Sequence, residues 1–115
     1  MRKERETILV LRSCKSDLTS YKGFQWPDSG EVVAPDWDPS PICGNGLHGW
    51  LWGFGDFTAQ YIEPTTAWLV VEVIGNTIIN LEGKVKFPRG RVIYCGNFTN
   101  AFSMVRKEAF KRGLE

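Results

Sequence analysis

Residues 97–113 read Asn97-Phe98-Thr99-Asn100-Ala101-Phe102-Ser103-Met104-Val105-Arg106-Lys107-Glu108-Ala109-Phe110-Lys111-Arg112-Gly113, and this stretch decides the fold class. Phe98, Ala101, Phe102, Val105 and Ala109 recur at the i, i+3, i+4, i+7 spacing of one buried helical face. Asn97, or Thr99 if the helix starts later, can accept from its first free amides. Arg106, Lys107, Lys111 and Arg112 fall in the last turns, where cations complement the helix dipole. Gly113 stops the run. Upstream the pattern is one of strands. Thr7 to Ser13 is β-branched and apolar, and Ala67 to Ile74 reads as a buried strand. Thr77 to Leu81 and Lys84 to Phe87 are short strands about a Glu82-Gly83 turn. Pro88-Arg89-Gly90 turns the chain again before a strand over Arg91 to Tyr94. Strands first and a helix last predict an α+β fold, a small antiparallel or mixed β-sheet with a C-terminal amphipathic helix.

The middle of the chain is less regular. Tyr21 to Trp26 and Glu31 to Ala34 flank Pro27-Asp28-Ser29-Gly30, a turn tetrad that predicts a hairpin. Pro35 to Pro41 holds three prolines in seven residues and can be neither helix nor central strand. Cys43 to Gly55 follows, with five glycines and two tryptophans in thirteen residues. A short helix over Leu47 to Trp52 is the expectation there.

At 115 residues the chain predicts a single globular domain over 1–115, with 1–6 a charged N-terminal segment. An apolar content of 43% and a charged content of 23% exclude disorder, collagen and coiled coil. The charged start is followed by only Ile8 to Leu11 as an apolar run, short of a secretory core. The run Ala67 to Val71 is far too short to span a bilayer. The expectation is a protein without a membrane segment in the cytoplasm of a bacterial host cell. Three cysteines at wide spacing predict reduced thiols. The net charge of +1 hides an asymmetry: residues 23–82 carry eight acidic residues and no Lys or Arg. On separate faces, these charges would make an acidic, aromatic side that steers toward a partner with a basic surface.

Several residue sets carry possible chemistry. Gly44-Asn45-Gly46-Leu47-His48-Gly49 has the G-x-G-x-x-G spacing, but it follows proline-rich loop where a dinucleotide site needs a strand. Its glycines read instead as positions of positive φ or close backbone approach. Cys43 and His48, cradled by Gly44, Gly46 and Gly49, offer a nucleophile and its base, for a hydrolase or group transferase. Cys14, Cys43, His48 and Cys95 make up a Cys3His ligand set for structural zinc, though no pair has the tight spacing of such sites. The same thiols also read as small buried hydrophobes. Trp37, Trp50 and Trp52, with Asp36, Asp38 and Asp56, read as an interface, since tryptophan is enriched at protein contacts. At least one of the three tryptophans is expected to be exposed, and Trp68 is expected in the core. Lys84, Lys86, Arg89 and Arg91 with the helix end offer a basic face for nucleic acid, against a pI of only 7.7.

From Leu11 to Gly96 the chain resembles an uncharacterised domain family of bacteriophages, prophages and actinobacteria. The pieces are Lys22-Gly23-Phe24-Gln25-Trp26-Pro27, Ala34-Pro35-Asp36-Trp37-Asp38-Pro39, Cys43-Gly44-Asn45-Gly46-Leu47-His48-Gly49, Trp68-Leu69-Val70-Val71-Glu72-Val73, Lys84-Val85-Lys86-Phe87-Pro88-Arg89-Gly90 and Tyr94-Cys95-Gly96. The resemblance implies no assigned activity. It implies a phage setting, and hence a small accessory protein that binds a protein partner such as a host factor or defence component. In such relatives the domain often precedes repetitive segments.

Overall fold

Strand β4 (Ala67–Ile74) is where the fold is anchored. Trp68, Leu69, Val70, Val71 and Val73 are all buried, so the strand is covered on both faces, as a continuous run of β-branched and apolar residues requires. The computed structural model describes residues 6–20, 23–55 and 66–114. Among these, β1 (Thr7–Cys14), β2 (Gly30–Val33), β3 (Leu47–Leu51), β4, β5 (Ile79–Asn80), β6 (Val85–Phe87) and β7 (Arg89–Gly96) precede helix α1 (Phe98–Lys111). The strands form one sheet in the order β2-β7-β4-β1-β3-β6-β5, every neighbouring pair antiparallel. The α+β expectation holds.

Alternation along β1 and β4 divides the core in two. Leu9, Leu11, Trp68 and Val70 face α1 and meet Ala101, Val105 and Ala109, the helical face read from the sequence. Burying a side chain the size of Val105 contributes about 1.5–3 kcal/mol. The Asn97 side chain accepts from the amide of Asn100 at 2.8 Å, which fixes the start of the helix. On the other face Val10, Cys14, Leu69, Val71 and Val73 pack with Trp26, Val32, Ala34 and Leu47. The loops that carry Leu18, Phe24, Trp26 and Trp37 therefore cover the side of the sheet opposite the helix.

Three local expectations are corrected. Residues 47–51 are strand rather than helix, because β3 is paired on both sides, with β1 and with β6. Gly49 permits this: a Cβ there would lie 2.3 Å from Val10 Cγ1 and 2.7 Å from the Leu11 carbonyl oxygen. The expected hairpin over 21–34 does not form. Strand β2 pairs with β7, Glu31 opposite Arg91 and Val33 opposite Arg89, and among the described residues of the preceding arm only Gln25 bridges, to Thr19. Pro88-Arg89-Gly90 is no separate turn, since β7 already begins at Arg89. The same β2–β7 pairing interleaves the acidic middle with the basic flank, and Arg89 meets Glu31 at 3.6 Å. The charges do not separate into two faces there.

Candidate functional site

The Gly-rich element of residues 43–49 closes one wall of a cleft of about 380 Å³ on the sheet face away from α1. Arg12 of β1, Phe24 and Trp26 of the covering loop, Asp36, the 44–46 turn and His48 line it. The turn is held open by backbone geometry: Gly44, Asn45 and Gly46 have φ of 101°, 53° and 153°. Gly46 also needs its missing side chain, because a Cβ there would sit 3.0 Å from the Trp37 ring.

His48 and Lys86 are directly opposed across β3 and β6, so their side chains share a face of the ladder. Both reach the same residue, Gly44. The Gly44 amide donates to His48 Nε2 at 3.3 Å, and Lys86 Nζ donates to the Gly44 carbonyl at 3.2 Å. A ring nitrogen that accepts must be unprotonated, so this contact selects neutral His48 with its proton on Nδ1. Electrostatics agree. Burial, then the charges of Lys84, Arg12 and Lys86, lower the His48 pKa to about 4, against a backbone hydrogen bond with Gly46 that raises it.

Lys86 is fully buried, at 0% exposure, between Val85 and Phe87, with its ammonium 5.5 Å from the Trp37 ring centre. Arg12 is held as firmly. It donates to the His48 carbonyl at 3.0 Å, stacks 4.9 Å over Trp26 and hydrogen-bonds the Cys14 thiol, whose pKa burial nonetheless pushes up. Its Nε is buried without an acceptor that meets hydrogen-bond geometry. Among the described residues no ion pair includes Arg12, Lys84 or Lys86. Asp36 stands exposed at the cleft, and Asp38 is exposed nearby. The Asp38 carboxyl is held below its usual range first by the Ser40 amide and hydroxyl, and then by Lys86.

The other candidate residues lie apart. Cys43 is exposed, and Cys14 is buried on the far side of β4 from Cys95. Among the described residues no three His, Cys, Asp or Glu side chains are grouped to hold a metal ion, so Cys14, Cys43, His48 and Cys95 do not form the expected ligand set. No hydrogen bond joins Cys43 to His48, whose Nε2 is already taken by Gly44. None of the three interface tryptophans is fully exposed. Trp52 is 5% exposed beneath the Arg112 guanidinium at 5.0 Å, Trp50 lies 6.2 Å from Trp68, and Trp37 covers Lys86. Trp68 is in the core, as expected. Asp56 lies outside the described residues. Of the basic face, Lys86 points inward, and Arg112 is engaged by Glu108 and the Thr7 carbonyl. Arg12 lines the cleft without any sequence signal, and Phe24 and Trp26 stood out only as part of the Lys22–Pro27 motif, with no role attached.

Comparison with known proteins fixes the setting. Residues 8–104 match the family model described as Domain of unknown function (DUF7666). The chain is 39% identical over 98 residues to an ice nucleation protein of Pseudomonas syringae, covering 84% of this chain and 8% of that protein. It is 36% identical over 102 residues to one of Xanthomonas campestris pv. translucens, covering 87% of this chain and 6% of the relative. With one of Pseudomonas fluorescens the identity is 35% over 108 residues, covering 92% and 9%. The chain thus spans less than a tenth of these relatives. No solved structure matches it. These relatives overturn the expected phage or prophage setting, and with it the accessory protein directed at a host factor. The expectation of an uncharacterised family stands, and the chain belongs to the DUF7666 family.

Proposed function

We propose that the chain is a non-repeating binding module of the kind that ice nucleation proteins carry, with the cleft of Arg12, Trp26 and His48 as its binding site. One observation carries this reading: Arg12 and a neutral His48 line one cleft with the buried Lys86 behind its turn, and among the described residues neither cation has a carboxylate in ion-pair contact. Burying a charge without a counter-charge is costly for folding alone. A pocket with aromatic walls and a few convergent polar groups is the usual form of a small-ligand site. The relatives support a module rather than a template. A surface that orders water into a lattice needs a repeated array of groups, and arrays of that kind are built from sequence repeats. This chain has no repeat at any period, yet nearly all of it matches a small part of each relative.

The test is a screen of small neutral and charged fragments against the ¹⁵N-labelled chain. Bound fragments are expected to shift the amides of residues 44–48 and the Trp26 indole. Hits confined to the open groove along the outer face of α1, beside Phe102 and Phe110, would overturn the assignment of the cleft.

A further inference from the structure

We infer that the cleft selects a singly charged carboxylate carried on a flat, apolar body. This deepens the binding-module reading and rests on it. The charge count around the cleft sets the sign and size of the ligand charge. Arg12 and Asp36 line the cleft, and Lys86 stands behind its 44–46 turn, bonded to the Gly44 carbonyl. Among the described residues, these two cations against one carboxylate leave an excess of one positive charge. Neutral His48 adds none. A monoanion balances this set, whereas a phosphate dianion overshoots it beside Asp36.

The shape argument is independent. Arg12 cannot swing out to meet a partner in solution, because the His48 carbonyl and the Trp26 face hold it from two sides. A guanidinium fixed in this way loses little freedom on binding, and the N–H groups not given to the His48 carbonyl or the Cys14 thiol are left for a carboxylate. The remaining walls are flat: Phe24 and Trp26 meet edge to face at 5.8 Å, and Trp26 is fixed by its own hydrogen bond to Ser20 at 3.2 Å. A volume of about 380 Å³ lies at the small end of ligand pockets, which suits a single ring and its acid group. Lys86 does not touch the ligand. It positions the 44–46 turn through the Gly44 carbonyl and supplies field from behind.

The experiment titrates the full chain with benzoate, benzamide and phenyl phosphate, followed by the Trp26 indole and the amides of 44–48. Benzoate is expected to bind about tenfold or more tighter than benzamide, the usual return on a charge-assisted pair, and tighter than phenyl phosphate. Asp36→Asn removes a carboxylate from the cleft wall and should tighten benzoate by about twofold to fivefold, widening its margin over benzamide. Arg12→Gln should abolish the difference between benzoate and benzamide. Equal affinity for benzoate and benzamide, with both still shifting residues 44–48, would overturn the carboxylate assignment and leave the binding module standing. Stronger binding of phenyl phosphate would overturn the monoanion in the same way. If none of the three probes moves those signals, the cleft fails as a binding site and both readings fall.

Discussion

Acidification should destabilise this protein through His48. In the unfolded chain the imidazole titrates near 6.5, and in the fold its pKa is lowered to about 4, first by burial and then by Lys84, Arg12 and Lys86. Between those values the unfolded chain binds a proton that the native state excludes. The stability tied to neutral His48 is therefore complete above about pH 7 and is lost as pH falls toward about 4. At 1.36 kcal/mol per pH unit the full displacement amounts to about 3.4 kcal/mol. The ring is half-buried rather than fully enclosed, so solvent screening reduces this to about 1–2 kcal/mol. The assay is urea unfolding by tryptophan fluorescence from about pH 7.5 to about pH 4.5, for the wild type and His48→Gln. Gln keeps an acceptor for the Gly44 amide and carries no proton equilibrium. The wild type should lose about 1–2 kcal/mol more than the variant over that range, since the carboxylates titrate in both and cancel. Parallel pH profiles, or an imidazole that titrates near 6.5, would refute the reasoning.

Three further outcomes follow from the same geometry. Gly49→Ala drives a methyl into Val10 and the Leu11 carbonyl and should cost about 1–3 kcal/mol, read as a lower midpoint in thermal or urea unfolding; an unchanged midpoint would mean that β1 and β3 are not in close contact. Thiol labelling followed by mass spectrometry should modify exposed Cys43 first and buried Cys14 last, because burial both shields the Cys14 thiol and pushes its pKa up; the reverse order would place residues 43–49 wrongly. Droplets containing the purified chain should freeze at the temperature of buffer droplets, since it offers no repeated surface; freezing well above buffer would make the chain a template in its own right.

How much of this was legible depends on whether the signal is local. The Phe98–Ala109 face, the Asn97 cap and the apolar run of β4 were readable because each reports its own environment within a few residues. Strand β3 was not. Gly49 within it and the glycines on either side argue against a strand locally, and it is one only because β1 and β6, some forty residues away on either side, pair with it. The hairpin failed for the same reason: Glu31 and Val33 found β7 rather than their neighbours. At the site, composition drew attention to His48, Asp36 and the 44–46 turn, which do line the cleft. Arg12 and Lys86 looked like ordinary strand cations. Lys86 becomes a buried residue only because Trp37, from the proline-rich loop, folds over it, and no spacing in the sequence encodes that contact.

The central claim is that an anion seats beside a neutral His48, and the most direct measurement is the NMR titration of the His48 Cε1 proton with and without saturating benzoate. One negative charge about 6 Å away, at an effective dielectric of about 40, favours the imidazolium by about 1.4 kcal/mol, or about one pH unit. The account predicts a midpoint near 4 in the free protein that rises by about one unit with benzoate and stays put with benzamide. A midpoint that benzoate leaves unmoved, while binding elsewhere saturates, would contradict it.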